Sequence, residues 1–270
     1  MSIENGREES MNQPFILLTN DDGINARGLY ALWREISALG DVVIVAPDSE
    51  RSAAGHAITL TEPLRAKKVY RNDGLYGYGV NGTPADSVKV AVKALLDRIP
   101  DLVISGINLG PNTGTNVIYS GTVSAATEAA ILGIRAIAVS LGTFVDPDYG
   151  PAARFARHLG DRVLRGETPP RLLLNVNVPA VPEEEIRGVK VTHQGIARFR
   201  EVMEERVDLR GRPYYWLGGE MDKPSNDHGS DHTALLENYI SVTPLHFNMT
   251  DYRLIPELEG WGLSAASRTG

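Results

Sequence analysis

Short apolar runs alternate with helically spaced apolar positions along the first two thirds of the chain. Phe15–Thr19 is apolar and stops at Asn20-Asp21-Asp22-Gly23, the pattern of a buried strand running into a turn. Leu29 through Trp33, Ile36 and Leu39 then fall on one helical face with Gly40 as terminator, and the run Val42–Ala46 ends at Pro47. The pattern repeats: a helix from about Pro84 to Leu96 with proline in its first turn precedes a strand at Leu102–Ser105. Helices at Thr122–Leu132 and Ala152–Leu164 precede strands at Ile134–Ser140 and Leu172–Val178. Strands alternating with helices predict an α/β fold with a mostly parallel sheet and helices on both faces. In such sheets ligands bind beyond the carboxyl ends of the strands.

Beyond Pro179 the pattern changes. Val189–Thr192, Phe199–Leu209 and Tyr214–Leu217 are extended and partly alternating, and the turn Gly211-Arg212-Pro213 makes a β-hairpin arm of the last two. A lone hairpin is marginal in water, so it is expected to pack on the core or on another subunit. Ala234–Glu237 and Tyr239–Thr243 read as a short helix and a returning strand. The organisation expected is a loose leader at 1–13, a core at 14–180, and a C-terminal region at 181–270.

Composition narrows the chemistry. A net charge of −7 and a pI near 5.4 give no long-range attraction to nucleic acids or anionic membranes, so neither is an expected partner. A phosphate substrate would need local positive potential from a cation, a helix N-terminus or a backbone nest. The absence of cysteine excludes disulfides, thiolate-bound zinc, iron–sulfur clusters and a thiol nucleophile, leaving oxygen or imidazole as metal ligands. The opening MSIENGREESMNQPF lacks the basic and apolar regions of a signal peptide, and no run approaches the roughly 20 apolar residues of a membrane helix. A cytoplasmic location is the default expectation.

Most of the suggestive residues lie in loops at strand ends: Asn20-Asp21-Asp22-Gly23, Asp48–His56, and the stretch from Ser105 to Thr122. Adjacent aspartates at a strand terminus can present hard anionic oxygens to one cation such as magnesium, manganese or calcium. An isolated Asp-Asp-Gly reads equally as a turn and helix cap, and at this position both readings stay open. Ser52 and Asn108 taken singly read as loop hydrogen-bonding residues. His56 reads as a supporting loop residue rather than a ligand. The small-residue loop from Gly110 to Ser124 opens a helix whose N–H groups and hydroxyls can hold a phosphate, the alternative being a connector. Asp227, His228, Asp231 and His232 suggest a second metal site, but loop solvation and helix capping are the better account of them.

These loops carry a resemblance. Leu18-Thr19-Asn20-Asp21-Asp22-Gly23, Ala46-Pro47-Asp48-Ser49-Glu50-Arg51-Ser52-Ala53-Ala54-Gly55-His56, Asn81-Gly82-Thr83-Pro84-Ala85-Asp86, Ser105-Gly106-Ile107-Asn108-Leu109-Gly110 and Tyr119-Ser120-Gly121-Thr122-Val123-Ser124-Ala125-Ala126 together resemble the SurE family of survival-protein nucleotidases over nearly the whole chain. The resemblance implies a Rossmann-like core and hydrolysis of nucleoside 5'-monophosphates by metal-activated water, with 3'-monophosphates and short polyphosphate as a wider range. It implies metal ligands at Asp21, Asp22, Ser52 and Asn108, with Asp21 and Asp22 catalytic. Asn112, Ser120, Gly121 and Thr122 fall on the phosphate side. One divalent cation per subunit follows, and an all-oxygen site favours Mg2+ or Mn2+ over zinc. The family also implies a homodimer or homotetramer assembled through the C-terminal region.

Three other readings were weighed against this one. Gly77-x-Gly79-x-x-Gly82 matches the bare fingerprint of an NAD(P)-type oxidoreductase, but its first glycines fall within a strand and the ribose-binding acid is missing. A phosphatase working through an aspartyl-phosphate of the haloacid-dehalogenase kind would want two aspartates separated by one residue after the first strand, and Asp21 and Asp22 are adjacent. A noncatalytic nucleotide-binding module would be marked by a lost ligand, and all of the ligand positions are intact.

Overall fold

A computed structural model describes residues 13–72, 74–145, 147–166, 168–169, 171–222 and 227–263; the expected leader falls almost entirely outside them. In chain order the core comprises β1 (Phe15–Thr19), α1 (Arg27–Ile36), β2 (Asp41–Pro47), β3 (Ala66–Arg71), β4 (Gly74–Val80) and α2 (Pro84–Val90), which runs into a π-helical turn at Ala91–Leu95. There follow β5 (Leu102–Leu109), α3 (Asn116–Tyr119), α4 (Gly121–Ile131), β6 (Ala136–Leu141), α5 (Gly150–Leu164), β7 (Leu173–Val178) and β8 (Val189–Val191). The arm is β9 (Phe199–Val207) with β10 (Pro213–Met221), followed by α6 (Asp231–Leu236), β11 (Ile240–Pro244) and α7 (Ile255–Glu259).

The main sheet has nine strands in the order β3-β4-β2-β1-β5-β6-β7-β11-β8, and β9 and β10 form a separate antiparallel pair. From β4 through β7 every pairing is parallel, so these strands end along one edge of the sheet. Both sheet faces are covered, which is why the central strands read as mostly apolar runs rather than alternating ones. Ile16 and Leu18 of β1 pack with Leu29, Leu32 and Ile36 of α1 and Ala152 and Ala156 of α5. Leu17 between them packs with Val88 of α2 and Val123, Ala126 and Ala129 of α4. The same alternation sends Ile44 and Ile104 to the first face and Val45 and Val103 to the second.

The mixed, mostly parallel sheet, the helices on both faces and the hairpin arm match the expected fold class. Strand β3 was not anticipated. It is an edge strand, antiparallel to β4, and its Ala-Lys-Lys-Val-Tyr-Arg sequence carries the charges that keep an edge from pairing further. The glycine fingerprint is ordinary strand: Gly77 lies in β4, where a Cβ would sit 2.6 Å from the Ile44 carbonyl oxygen of neighbouring β2. No helix among the described residues is long and apolar enough to cross a membrane.

Gly28, in the first turn of α1, sets the approach of that helix to the strand that carries Asn108. A Cβ there would lie 2.1 Å from the Ile107 carbonyl oxygen and 3.0 Å from the Tyr149 ring. Glycine to alanine in a helix ordinarily stabilises by about 1 kcal/mol, but the overlap with fixed backbone reverses the sign. Gly28→Ala is expected to lower stability by roughly 1–3 kcal/mol, read as an earlier urea midpoint; an unchanged or later midpoint would contradict this packing.

Candidate metal and phosphate site

The chain leaves β1 directly into Asn20, Asp21 and Asp22, and three more segments close on them. The Asp21 carbonyl accepts the Arg51 N–H at 2.8 Å, drawing in the loop that carries Ser52. Asp22 Oδ2 accepts the Leu109 N–H at 3.3 Å, beside Asn108. The Thr122 hydroxyl donates a short hydrogen bond to Asp21 Oδ1, and its backbone also bonds that carboxylate, joining β1 to the first turn of α4. Asn108 Nδ2 donates to the Gly110 carbonyl at 2.7 Å, which leaves its Oδ1 outside that bond. Ser52 is exposed and its hydroxyl donates to Glu50 Oε1 at 2.7 Å, so its link to the pair runs through its neighbour Arg51.

Electrostatics mark the pair as incomplete. Asp21 is only 4% exposed, and burial raises its pKa although bonds from Thr122 oppose the rise. Asp22 is pushed up to about 6 by burial and by the charge of Asp21, with Glu50 adding to the effect. The side-chain charges acting on both groups are negative, and no ion pair involves either aspartate among the described residues. A buried carboxylate beside a half-buried one, with no positive partner among the described residues, is costly unless a cation joins them. Thr19 Oγ1, Asn20 Oδ1 and Ser105 Oγ are also buried at these strand ends without a protein partner. Among the described residues no three acidic or imidazole side chains gather, so an imidazole-rich centre has nowhere to form. Carboxylate, hydroxyl and amide oxygens suit a hard divalent cation, and the donor set fits one.

The start of α4 supplies the anion-binding side. Ser120 caps the helix, its Oγ accepting the Val123 N–H at 3.1 Å. A Cβ on Gly121 would meet Asp21 Cβ at 2.7 Å and Oδ2 at 2.8 Å, so only glycine lets this helix begin against the acid pair. The positive end of the helix dipole thus faces both Asp21 and any anion beside it. Asn112 is placed differently from the other predicted phosphate residues. Its N–H donates to Asn177 Oδ1 and its Nδ2 to Ser140 Oγ, each at 2.8 Å, while its carbonyl accepts from Asn175 and Asn177. In this geometry Asn112 anchors the loop to β6 and β7.

Residues around the site hold it in shape. Glu128 is buried on α4 and accepts from His56 Nε2 at 2.9 Å and Lys89 Nζ at 2.5 Å. Burial acts to raise its pKa, but these bonds outweigh burial and hold it low. This carboxylate fastens the end of the Ser52 loop to α4 and α2. Sequence reasoning passed over it, although a single charge among the small residues Thr122–Ala130 was a signal. Asp231 accepts the Gly114, Gly195 and His232 N–H groups, and Asp227 accepts that of Ile196. Both carboxylates pin loops.

Residues 16–201 match the family model described as survival protein SurE. The chain is 48% identical over 251 residues to the 5'-nucleotidase SurE of Chlorobaculum tepidum, covering 93% of this chain and 95% of that protein. It is 49% identical over 247 residues to the 5'-nucleotidase SurE of Heliobacterium modesticaldum, covering 91% of each. The crystal structure of the SurE protein from Aquifex aeolicus superposes with a TM-score of 0.80 at 41% identity, covering 92% of this chain and 99% of that one.

The contact of Gly121 with Asp21 generates a direct test. Gly121→Ala would push the carboxylate off its position, and displaced supporting contacts typically weaken metal binding by about 10- to 100-fold. Calorimetric titration of the variant with Mn2+ should show a loss of that size with the circular-dichroism spectrum retained. Wild-type affinity would contradict the placement of α4 against the acid pair.

Proposed function

Because the chain belongs to the survival protein SurE family, we propose that it is a divalent-metal-dependent 5'-nucleotidase, hydrolysing nucleoside 5'-monophosphates to nucleoside and inorganic phosphate. The observation that carries this reading is the Asp21–Asp22 pair, buried at Asp21 and half-buried at Asp22, without a positive partner among the described residues and set against the first turn of α4. Asp21, Asp22, Ser52 and Asn108 would hold one cation per subunit, Mg2+ or Mn2+ by the hardness of the donors. Ser52 must turn from Glu50 to join them. When bound, the cation offsets phosphate charge and makes a nearby water more acidic.

The chain's own groups do the rest. Ser120, Gly121 and Thr122 orient the phosphate oxygens at the helix start, where preorganised N–H and O–H donors act most strongly on charge developing in the transition state. Asn112 fixes the loop that leads there and would exchange its Ser140 bond to reach a phosphate oxygen itself. Asp21 Oδ1 is occupied by Thr122, so Oδ2 is the atom that receives the proton of the attacking water. Water oxygen bonds to phosphorus, the ester P–O bond breaks, and the departing nucleoside oxygen takes up the proton that Asp21 accepted. The family resemblance extends the reading to 3'-monophosphates and short polyphosphate as a wider substrate range. Nucleoside monophosphates as substrates and a chain free of cysteine fit action in the cytoplasm.

The arm is proposed as an assembly surface. Val202, Met203, Val207, Tyr214, Tyr215 and Trp216 are exposed on it, more apolar side chain than a free hairpin sustains in water. A homodimer or homotetramer would cover them. The intact chain should sediment as a dimer or larger and lose mass when Phe199–Met221 is replaced by a short Gly-Ser linker; a monomeric intact chain would refute this role.

Asp21→Asn keeps an oxygen donor but loses the proton acceptor. Turnover of AMP should fall by about 10²- to 10⁴-fold, the usual contribution of a positioned base, with a much smaller change in KM in metal-saturated assays. Removal of divalent ions by chelation should abolish activity, and Mg2+ or Mn2+ should restore it. Full turnover by the chelated protein, or by the variant, would contradict the proposal.

A further inference from the structure

One wall of the cavity beside Ser52 and Ser120 is made by the hairpin arm. The cavity measures about 650 Å3, and its lining runs from Ala53, Asn116 and Tyr119 in the strand-end segments to Arg198, Phe199 and Leu217 in the arm. Ala53 follows Ser52 and Tyr119 precedes Ser120, so the space opens one residue away from positions assigned above to the cation and the phosphate.

The root of the arm is fastened to the loop leading into that site. The Thr115 N–H donates to the Ala197 carbonyl and Gln194 Nε2 to the Gly114 carbonyl, each at 2.9 Å. Asp231 accepts the Gly114 N–H at 3.1 Å and the Gly195 N–H at 2.9 Å, so one buried carboxylate clamps both segments. A Cβ on Gly114, whose φ is +57°, would lie 2.2 Å from the Ala197 carbonyl oxygen. Asp222 closes the far side, donating its N–H to the Arg198 carbonyl at 3.0 Å and accepting the Arg198 N–H at 2.8 Å. Phe199 therefore sits two residues beyond the clamp, facing the same cavity as Tyr119.

We propose that this cavity binds the nucleobase, with Tyr119 and Phe199 as aromatic walls and the arm as the element that selects nucleotides over base-free phosphate esters; this rests on the nucleotidase reading above. Of a nucleoside monophosphate, only the base gains from aromatic surfaces, and every base has a π face, so the preference is for a base rather than for one particular base. A second cavity, about 500 Å3, has Tyr30 and Tyr149 in its lining but is dominated by charged side chains. It is lined by Arg27, Arg34, Arg71 and Arg154, and the Arg71 guanidinium already lies over the Tyr30 and Tyr76 rings at 4.8 and 4.5 Å.

The experiment compares AMP with ribose 5-phosphate, which keeps the sugar and phosphate but lacks the base, and titrates adenosine into the metal-loaded protein by calorimetry. Phe199→Ala and Tyr119→Ala should each raise KM for AMP by about tenfold, the size of a lost base–aromatic contact. Adenosine affinity should fall by a similar factor, and the AMP to ribose 5-phosphate ratio of kcat/KM should drop. Phe199→Tyr should recover most of the loss, and Leu209→Ala at the arm tip should leave AMP kinetics at wild type. Unchanged adenosine affinity in both alanine variants, equal losses for the two substrates, or a wild type without preference for AMP would each overturn the proposal. A wild type that binds adenosine through these residues but hydrolyses no monophosphate would overturn the nucleotidase reading instead, because adenosine binding is measured without turnover.

Discussion

Two carboxylates held side by side at the end of a buried strand, with no positive partner among the described residues, form the constraint on which the rest of this molecule turns. Burial pushes both toward protonation, and the charge of Asp21 adds to the push on Asp22, so a bound cation would favour their ionised state. The nearby architecture meets that need. A helix starts against Asp21 because residue 121 has no side chain, Thr122 grips one carboxylate oxygen, and the loops after β2 and β5 are tied to the pair through Arg51 and Leu109. Glu128, with His56 and Lys89, then fastens the outer loop to the helices behind it. Positive potential is supplied locally, as it must be in a chain of net charge −7.

Much of the fold was legible because its central strands are covered on both faces. Phe15–Leu18 is apolar without interruption and Leu172–Val178 is broken only by Asn175 and Asn177, and a parallel sheet with helices on both sides is the architecture that buries such runs. The edge was not legible: β3 has lysines where a core strand has valines, and its pairing with β4 follows from proximity rather than from pattern. Strand β5 was expected to stop at Ser105, whereas it continues to Leu109 through a register shift against β6 that hydrophobic pattern does not encode. Nor does periodicity reveal that β11 inserts antiparallel beside β7 and brings β8 to the far edge.

For the site, residue type and strand-end position pointed to Asp21, Asp22 and the start of α4, because sheet topology forces those loops together. Contacts between distant segments were invisible. Asp21 and Thr122 are 101 residues apart in the chain, Gly114 and Asp231 are 117 apart, and nothing local announces either bond. Asn112 shows the limit from the other side: a polar residue in a phosphate-type loop has its amide turned into the sheet, against Ser140 and Asn177. The arm likewise reads in sequence only as an assembly element, yet its root is clamped within a few residues of the helix start, so it also lines the cavity beside Tyr119.

The central claim is that the acid pair is half of a cation site completed by neutral oxygens from the loop after β2 and from the end of β5. Anomalous diffraction from crystals of the full chain soaked in Mn2+ tests it most directly. The account predicts one strong peak per subunit, within bonding distance of Asp21, Asp22 and Asn108 with Ser52 turned toward it, and loss of that peak in crystals of Asp22→Ala. A peak elsewhere with the acid pair bare, or a Lys or Arg side chain found neutralising the pair in its place, would contradict it.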